Sequence, residues 1–211
     1  MKIDGVKNYD VYVMQLFDGH ICDENFNSLR DLNQTKNVFS QIIDSLQQLN
    51  EAKKTHNDLK PQNILYRRIL GGESGISYKV AVSDFGQAGK TGGTPGWTAP
   101  IFFKDRRPGR EDIYSVGWLF LRLFCETKEL FLSLRNNYVE TIETKWMVKF
   151  RGTIEAQFLS KLIDLDCPPT VDEVRAEWNR VKNIVQTINI FRLRKLCIPD
   201  RYLTLQLQRP K

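Results

Sequence analysis

Over Tyr9-Asp10-Val11-Tyr12-Val13-Met14-Gln15-Leu16 the chain alternates along a run of β-branched and aromatic residues, which predicts a strand ended by Asp18-Gly19-His20. The period then changes. Val38, Ile42, Ile43, Leu46 and Leu49 recur at helical spacing and predict an amphipathic helix at about 35–53. Pro61 breaks regular structure in a loop from His56 to Asn63. Ile64-Leu65-Tyr66 and Lys79-Val80-Ala81-Val82 predict two short strands, joined by a turn at Gly71-Gly72-Glu73-Ser74-Gly75. The segment from Lys90 to Pro100 reads as irregular. Beyond it, Ile113, Val116, Gly117, Leu119, Phe120, Leu123 and Phe124 cover nearly a whole helix surface, so this helix is predicted to be buried at the centre. Two more helices are predicted, Ile154 to Leu165 and Val171 to Ile188, parted by Cys167-Pro168-Pro169, with Thr170 or Asp172 capping the last. The pattern is mainly α, with short strands placed early.

Composition adds little to this picture but excludes some classes. A chain of 211 residues, 41% hydrophobic and 27% charged, buries a real core and is not a disordered segment. No apolar run approaches the ~20 residues of a membrane span, and Met1-Lys2-Ile3-Asp4-Gly5 has no secretory apolar core. Cytosol or nucleus is the expected compartment. Cys22, Cys125, Cys167 and Cys197 form no Cys-x-x-Cys pair, so reduced thiols are expected rather than a zinc site. The net charge of +6 concentrates near the end: Arg192, Arg194, Lys195, Arg201, Arg209 and Lys211 face only Asp200 after Ile188. A solvated tail or a covering helix is favoured there over an acidic partner, nucleic acid or a membrane surface.

The chemistry is concentrated in two short stretches. His56-Asn57-Asp58-Leu59-Lys60-Pro61-Gln62-Asn63 places an acid, a lysine and an amide carbonyl on one loop, and Ser83-Asp84-Phe85-Gly86 adds a second acid. Phosphoryl transfer uses such a set: a carboxylate to orient a hydroxyl, a cation for the moving phosphate, and oxygen ligands for magnesium. The glycines at 71, 72 and 75 read as a hairpin turn, not a phosphate cradle, because no helix follows them.

These stretches resemble the catalytic loop and the Asp-Phe-Gly motif of eukaryotic-type protein kinases. Gly93-Thr94-Pro95-Gly96-Trp97-Thr98-Ala99-Pro100 is similar to the substrate-facing end of the activation segment, and Asp112-Ile113-Tyr114-Ser115-Val116-Gly117 to the start of the C-terminal lobe's central helix. The resemblance implies a protein-kinase-like C-lobe: a helical bundle around a buried central helix, with short β-hairpins carrying the catalytic and magnesium loops. It implies that Asp58 orients the substrate hydroxyl, Lys60 neutralises the moving phosphoryl group, and Asn63 and Asp84 ligate Mg²⁺, with ATP as donor. His56 and Phe85, with Gly86, would be structural. Asp112 would anchor the catalytic-loop backbone or merely cap its helix. Met14, Gln15 and Phe17 would line the hinge, Leu65 would floor the adenine, and Thr94 and Trp97 would face substrate. Lys60 two residues after Asp58, with the Gly-Thr-Pro sequence, is the serine/threonine pattern.

Three positions depart from the family. Asn57 stands where the family has the arginine that receives an activation-loop phosphate. Ile101 replaces the glutamate after Ala-Pro, and Pro168 its arginine partner. Losing one partner of a buried pair costs ~3–5 kcal/mol, whereas replacing both by apolar groups is nearly neutral, so a repacked joint is expected. Residues 1–17 resemble only the last N-lobe strand and hinge, with no Gly-x-Gly-x-x-Gly loop and no Val-Ala-x-Lys strand. The expected organisation is a remnant at 1–17, a C-lobe at 18–187 and a basic extension at 188–211. Two functions follow: a serine/threonine kinase lobe active when complemented by another lobe, or a catalytically deficient regulator that binds another kinase or its substrate. Either implies a protein partner. A small-molecule phosphotransferase of similar fold fits the Gly-Thr-Pro segment less well.

Overall fold

The computed structural model describes residues 14–23, 26, 31–70, 76–103, 109–139, 150–189 and 193. The predicted glycine turn at 71–75, most of the predicted strand at 9–16, Cys197 and nearly all of the basic extension lie outside them. In chain order the elements are β1 (Gly19–His20), α1 (Leu32–Glu51), β2 (Ile64–Leu70), β3 (Ile76–Val82), α2 (Arg110–Phe124), α3 (Lys128–Val139), α4 (Ile154–Leu162) and α5 (Val171–Val181).

The helix α1 starts where its sequence allows it to. Asp31 accepts from the Gln34 amide at 2.8 Å, while the Gln34 side chain accepts from the Asp31 amide, closing a capping box. Val38, Phe39, Ile42, Ile43 and Leu46 form its buried face. Its polar flank has a second use. Gln41 donates to the Tyr78 carbonyl and accepts from the Val80 amide, and Gln34 donates to the Ile76 carbonyl at 2.6 Å. These amides satisfy the outer edge of β3, which would otherwise be an open strand edge.

The sheet has the order β1-β2-β3, all antiparallel, with Ile64 opposite Val82 and Leu70 opposite Ile76. Both strands of the hairpin are longer than the two apolar runs suggested, because pairing continues through Arg67 and Arg68 opposite Lys79 and Tyr78. The predicted strand at 9–16 is corrected where it is described: residues 14–17 carry no strand, and Gly19–His20, expected as its end, is the strand instead. Gly19 and His20 pair with Tyr66 and Leu65, flanked by bonds from Asp18 N–H to the Tyr66 carbonyl and from Ile21 N–H to the Ile64 carbonyl.

Every residue of α2 except Arg110 and Tyr114 is buried, as its all-round apolar surface requires. It crosses α4 closely at Gly117, where a Cβ would lie 2.7 Å from Ile163 Cγ2 and 3.0 Å from Leu162 Cβ. Phe39 of α1, Phe120 and Phe124 of α2, Phe158 of α4 and Trp178 of α5 form one aromatic cluster, mostly edge-to-face, at centroid distances of 4.7–6.3 Å. The Trp178 indole N–H is satisfied by Ser40 Oγ at 2.8 Å.

The last two predicted helices end early. Asp164 Oδ1 accepts from the amides of Asp166 and Cys167, a local turn that competes with helix after Leu162, and Pro168 then bars Cys167 from helical backbone. The chain leaves α5 at Val181 so that Val185 and Ile188 can reach the core; Ile188 exchanges bonds with Phe124 and Glu126 at 2.8 and 2.9 Å. Leu193 is buried as well, so the packed unit extends past residue 187. Thr170, not Asp172, caps α5, in a capping box with Glu173. Helix α3 had no predicted counterpart. Among the described residues Cys22, Cys125 and Cys167 form no disulfide. Among the described residues no helix is long and apolar enough to cross a membrane.

Candidate active site

The loop between α1 and β2 is held from below by α2. Asp112 Oδ2 accepts from the His56 amide at 2.7 Å and Oδ1 from the Asn57 amide at 2.8 Å. The N-cap of α2 is Gly109, so Asp112 is not that helix's cap. Burial pushes the Asp112 carboxyl up, while the two N–H donors pull the other way. His56 is fully buried, and its ring connects two levels: Nδ1 accepts from the Asp58 amide at 3.2 Å, and Nε2 lies 2.8 Å from the Ser83 carbonyl. The tautomer with hydrogen on Nε2 satisfies both contacts. The His56 and Phe85 rings are 4.8 Å apart at 56°. A half-exposed Phe85 (49%) completes the contact between the two motif loops.

Asn57 has φ 66°, in the left-handed region that Asn tolerates better than most residues. That turn aims its side chain across to the segment after Gly86, where Nδ2 donates to the Lys90 carbonyl at 2.7 Å and lies 3.4 Å from the Gln87 carbonyl.

Three side chains then close a triangle. Lys60 Nζ lies 2.8 Å from Asp58 Oδ2 and 2.8 Å from Thr94 Oγ1, and the Thr94 hydroxyl donates to Asp58 Oδ1 at 2.6 Å. Thr94 reaches this position because Gly93, at φ 132°, has no side chain: a Cβ there would collide with Thr98 and lie 2.6 Å from the Asn57 carbonyl. Burial would raise the Asp58 carboxyl, but hydrogen bonds from Lys60 and Thr94 and the Lys60 charge outweigh it and hold it below the usual carboxylate range. Asp58 is therefore an ionised acceptor at neutral pH, with one oxygen already occupied by an aliphatic hydroxyl.

Asn63, buried at the end of the 3₁₀ turn Pro61–Asn63, spends its amide hydrogens on Asp58: 2.8 Å to the carbonyl and 3.3 Å to Oδ2. That leaves the amide oxygen as its acceptor. Asp84 is exposed, at φ 62° and ψ 71°, with Oδ1 accepting from the Gly86 amide at 3.3 Å. Both residues offer hard oxygen donors of the kind Mg²⁺ takes, with further positions left for phosphate oxygens and water. Among the described residues no group of three or more His, Cys, Asp or Glu side chains could hold a metal by itself.

The remaining predicted residues are more loosely placed. Met14, Gln15 and Leu16 are exposed, Leu16 to 88%, and Phe17 and Leu65 are half-buried. Trp97 stacks on Phe131 at 5.8 Å and 15°, so one ring face is committed to packing. Ile101 is partly exposed and Pro168 half-buried, and Phe102 between helix and loop packs edge-on against Tyr114. The tether from Asn57 and the closure of Thr94 onto both Asp58 and Lys60 went unread in the sequence. The spacing of Gly93 and Thr94 was the available signal.

The protein kinase domain family matches residues 11–184. The chain is 32% identical over 113 residues to a DNA damage response protein kinase of Saccharomyces cerevisiae, 44% of this chain and 22% of that protein. It is 31% identical over 97 residues to calcium/calmodulin-dependent protein kinase type 1B of Homo sapiens, 42% of this chain and 27% of that protein. A protein of Acanthamoeba polyphaga mimivirus, named among the serine/threonine kinases, is 26% identical over 159 residues, 71% of this chain and 58% of the relative. The chain thus spans a minor part of the two cellular kinases and somewhat over half of the viral protein. The loop pair, its anchoring by Asp112 and the extent of the family match lead to one assignment: this chain belongs to the protein kinase family.

Proposed function

We propose that the chain provides the catalytic lobe of a serine/threonine protein kinase, with Asp58, Lys60, Asn63 and Asp84 as its working residues. The observation that carries this reading is the Asp58–Lys60–Thr94 triangle, in which an alcohol oxygen sits 2.6 Å from an ionised carboxylate and 2.8 Å from an ammonium. A substrate serine or threonine hydroxyl has the same chemistry as Thr94. Taking the place of Thr94 at Asp58 Oδ1, it would be oriented by the carboxylate, with Lys60 beside the developing negative charge. Mg²⁺-bound ATP would supply the phosphoryl group, held by the oxygens of Asn63 and Asp84. Asp112 and His56 fix the loop backbone and act as positioning residues.

The elements that cover the nucleotide would come from outside these residues, from a longer chain or a second protein. The exposed Met14, Leu16 and Phe85 and the half-buried Leu65 support that part of the reading, since they leave an apolar margin beside the site. The same margin suits the alternative of a lobe that binds another kinase without transferring phosphate. Phosphate transfer from labelled Mg²⁺-ATP to a serine-containing protein, with a kinase N-lobe added as a separate polypeptide, tests the two. Transfer that is lost in both Asp58→Asn and Asp84→Asn is expected. A stable complex with the N-lobe that transfers nothing leaves the regulator, and transfer surviving both variants refutes the assigned residues.

A further inference from the structure

A cavity of about 400 Å³ opens beside the triangle, between the catalytic loop, the Thr94 segment, α2 and α3. Pro61 and Gln62, directly after Lys60, form one wall, and Trp97 and Phe131 another. Two arginines line it. Arg122 of α2 is only 9% exposed, yet among the described residues its guanidinium makes no hydrogen bond or ion pair. Arg135 of α3 lies over the Trp118 ring, 5.7 Å from its centroid, with a buried Nε that has no acceptor. A side chain at Gly96 would collide with this guanidinium, so the glycine admits it. Desolvation pulls the Arg135 pKa down, against a smaller upward effect of Tyr114.

Buried guanidinium groups are normally paired, and an unpaired one costs stability. Glu126 and Glu129 also line the cavity, but both are exposed and neither pairs with either arginine. Lys128 adds a third cation to the rim.

We propose that this cavity is a specificity pocket for an acidic side chain of the acceptor peptide, a carboxylate or a phosphomonoester, received by Arg122 and Arg135. The inference rests on the kinase reading of the adjacent triangle. A peptide presenting a hydroxyl to Asp58 passes Lys60 and Trp97, and at ~3.3–3.6 Å per residue its nearby side chains come within reach of the cavity mouth. The planar forks of two guanidiniums suit the oxygens of either anion, and they would gain the acceptors they lack.

The test uses three fluorescein-labelled peptides, each with a central serine flanked by glutamate, phosphoserine or lysine, and measures anisotropy against the full chain without nucleotide. The glutamate or phosphoserine peptide is expected to bind about tenfold tighter than the lysine peptide, and whichever acidic arm is stronger identifies the anion. Arg122→Gln and Arg135→Gln should each remove most of that preference, whereas Asp84→Asn should keep it. Arg122→Leu should melt no lower than the parent, because a function-bearing unpaired cation is not a stabilising one. Equal binding of all three peptides, a preference surviving both glutamine variants, or a marked drop in melting temperature for Arg122→Leu overturns the proposal. Because peptide binding is read without ATP, failure of phosphate transfer leaves this result standing, and the two readings fail separately.

Discussion

The side-chain amide of Asn57 donates to the Lys90 carbonyl at 2.7 Å, tying the loop that carries Asp58 to the segment that follows Asp84-Phe85-Gly86. This tie is neutral and needs no added phosphate. It also depends on backbone shape, because φ 66° is what aims the amide across the gap.

Substitutions at Asn57 therefore separate two contributions. Asn57→Gly keeps the backbone relaxed and removes the amide, for an expected loss of about 1–2 kcal/mol in urea unfolding. Asn57→Ala loses the amide and adds the cost of a left-handed alanine, about 1 kcal/mol more. Amide hydrogen exchange at residues 86–90 should rise in both variants. Equal stability of all three proteins would show that the tether does not contribute.

The Thr94 hydroxyl is the partner of Asp58 Oδ1, and it also lies 2.8 Å from Lys60 Nζ. Thr94→Val keeps the shape and leaves that carboxylate oxygen unmet, so about 1–3 kcal/mol should be lost, and Thr94→Ser should recover most of it. The Asp58 carboxyl should also move up toward the ordinary range in Thr94→Val, since one of the contacts holding it down is gone. Carbon-detected NMR titration of Asp58 reads this directly, and an unchanged carboxyl would mean that Lys60 alone sets it.

Where one side chain decides the outcome locally, the sequence was informative. The all-round apolar face of α2, the helical period of α1 and the cap of α5, narrowed to Thr170 or Asp172, all express themselves within one or two turns. The two motif loops were legible too, because each is a short contiguous pattern of the protein kinase family. What escaped was set by distant partners. The strand at Gly19–His20 exists because β2 offers it an edge, and α5 stops at Val181 because Ile188 bonds to Phe124 and Glu126 far back in the chain. Helix α3 mixes polar and apolar residues without a clear stripe, and its packing depends on Phe131 meeting Trp97 and Leu134 entering the core. The pairing of Arg122 with Arg135 around one cavity is likewise invisible until α2 and α3 are folded together.

Gly117 shows how a helix-weakening residue can be required. In an exposed helix Gly→Ala gains about 1 kcal/mol. Here the new methyl would press on Ile163 Cγ2 and Leu162 Cβ, neither of which is the free end of a flexible chain, and overpacking of that kind costs about 1–3 kcal/mol. Gly117→Ala should thus lower stability by about 1 kcal/mol, and thermal unfolding gives the sign. A rise in melting temperature would mean that α4 shifts away at little cost.

Glu177 joins α4 to α5 by bonds to Lys161 at 2.6 Å and Arg180 at 2.7 and 2.9 Å. Those bonds, from Arg180 first and then Lys161, lower its pKa to about 2. An unfolded-chain glutamate titrates near ~4.3, so on acidification the unfolded state takes up the proton first and stability falls. The contribution is fully present above ~4.3 and is lost as the pH drops through about 2. Lys161 and Arg180 are both more than half exposed, so solvent and salt screen the network, and its worth at neutral pH is at most about 1 kcal/mol. Urea midpoints of the parent and Glu177→Gln should therefore differ at pH 7, converge as the pH approaches 2, and draw together at high salt even at pH 7. A difference that persists unchanged at low pH would assign the effect to packing of the side chain rather than to its charge.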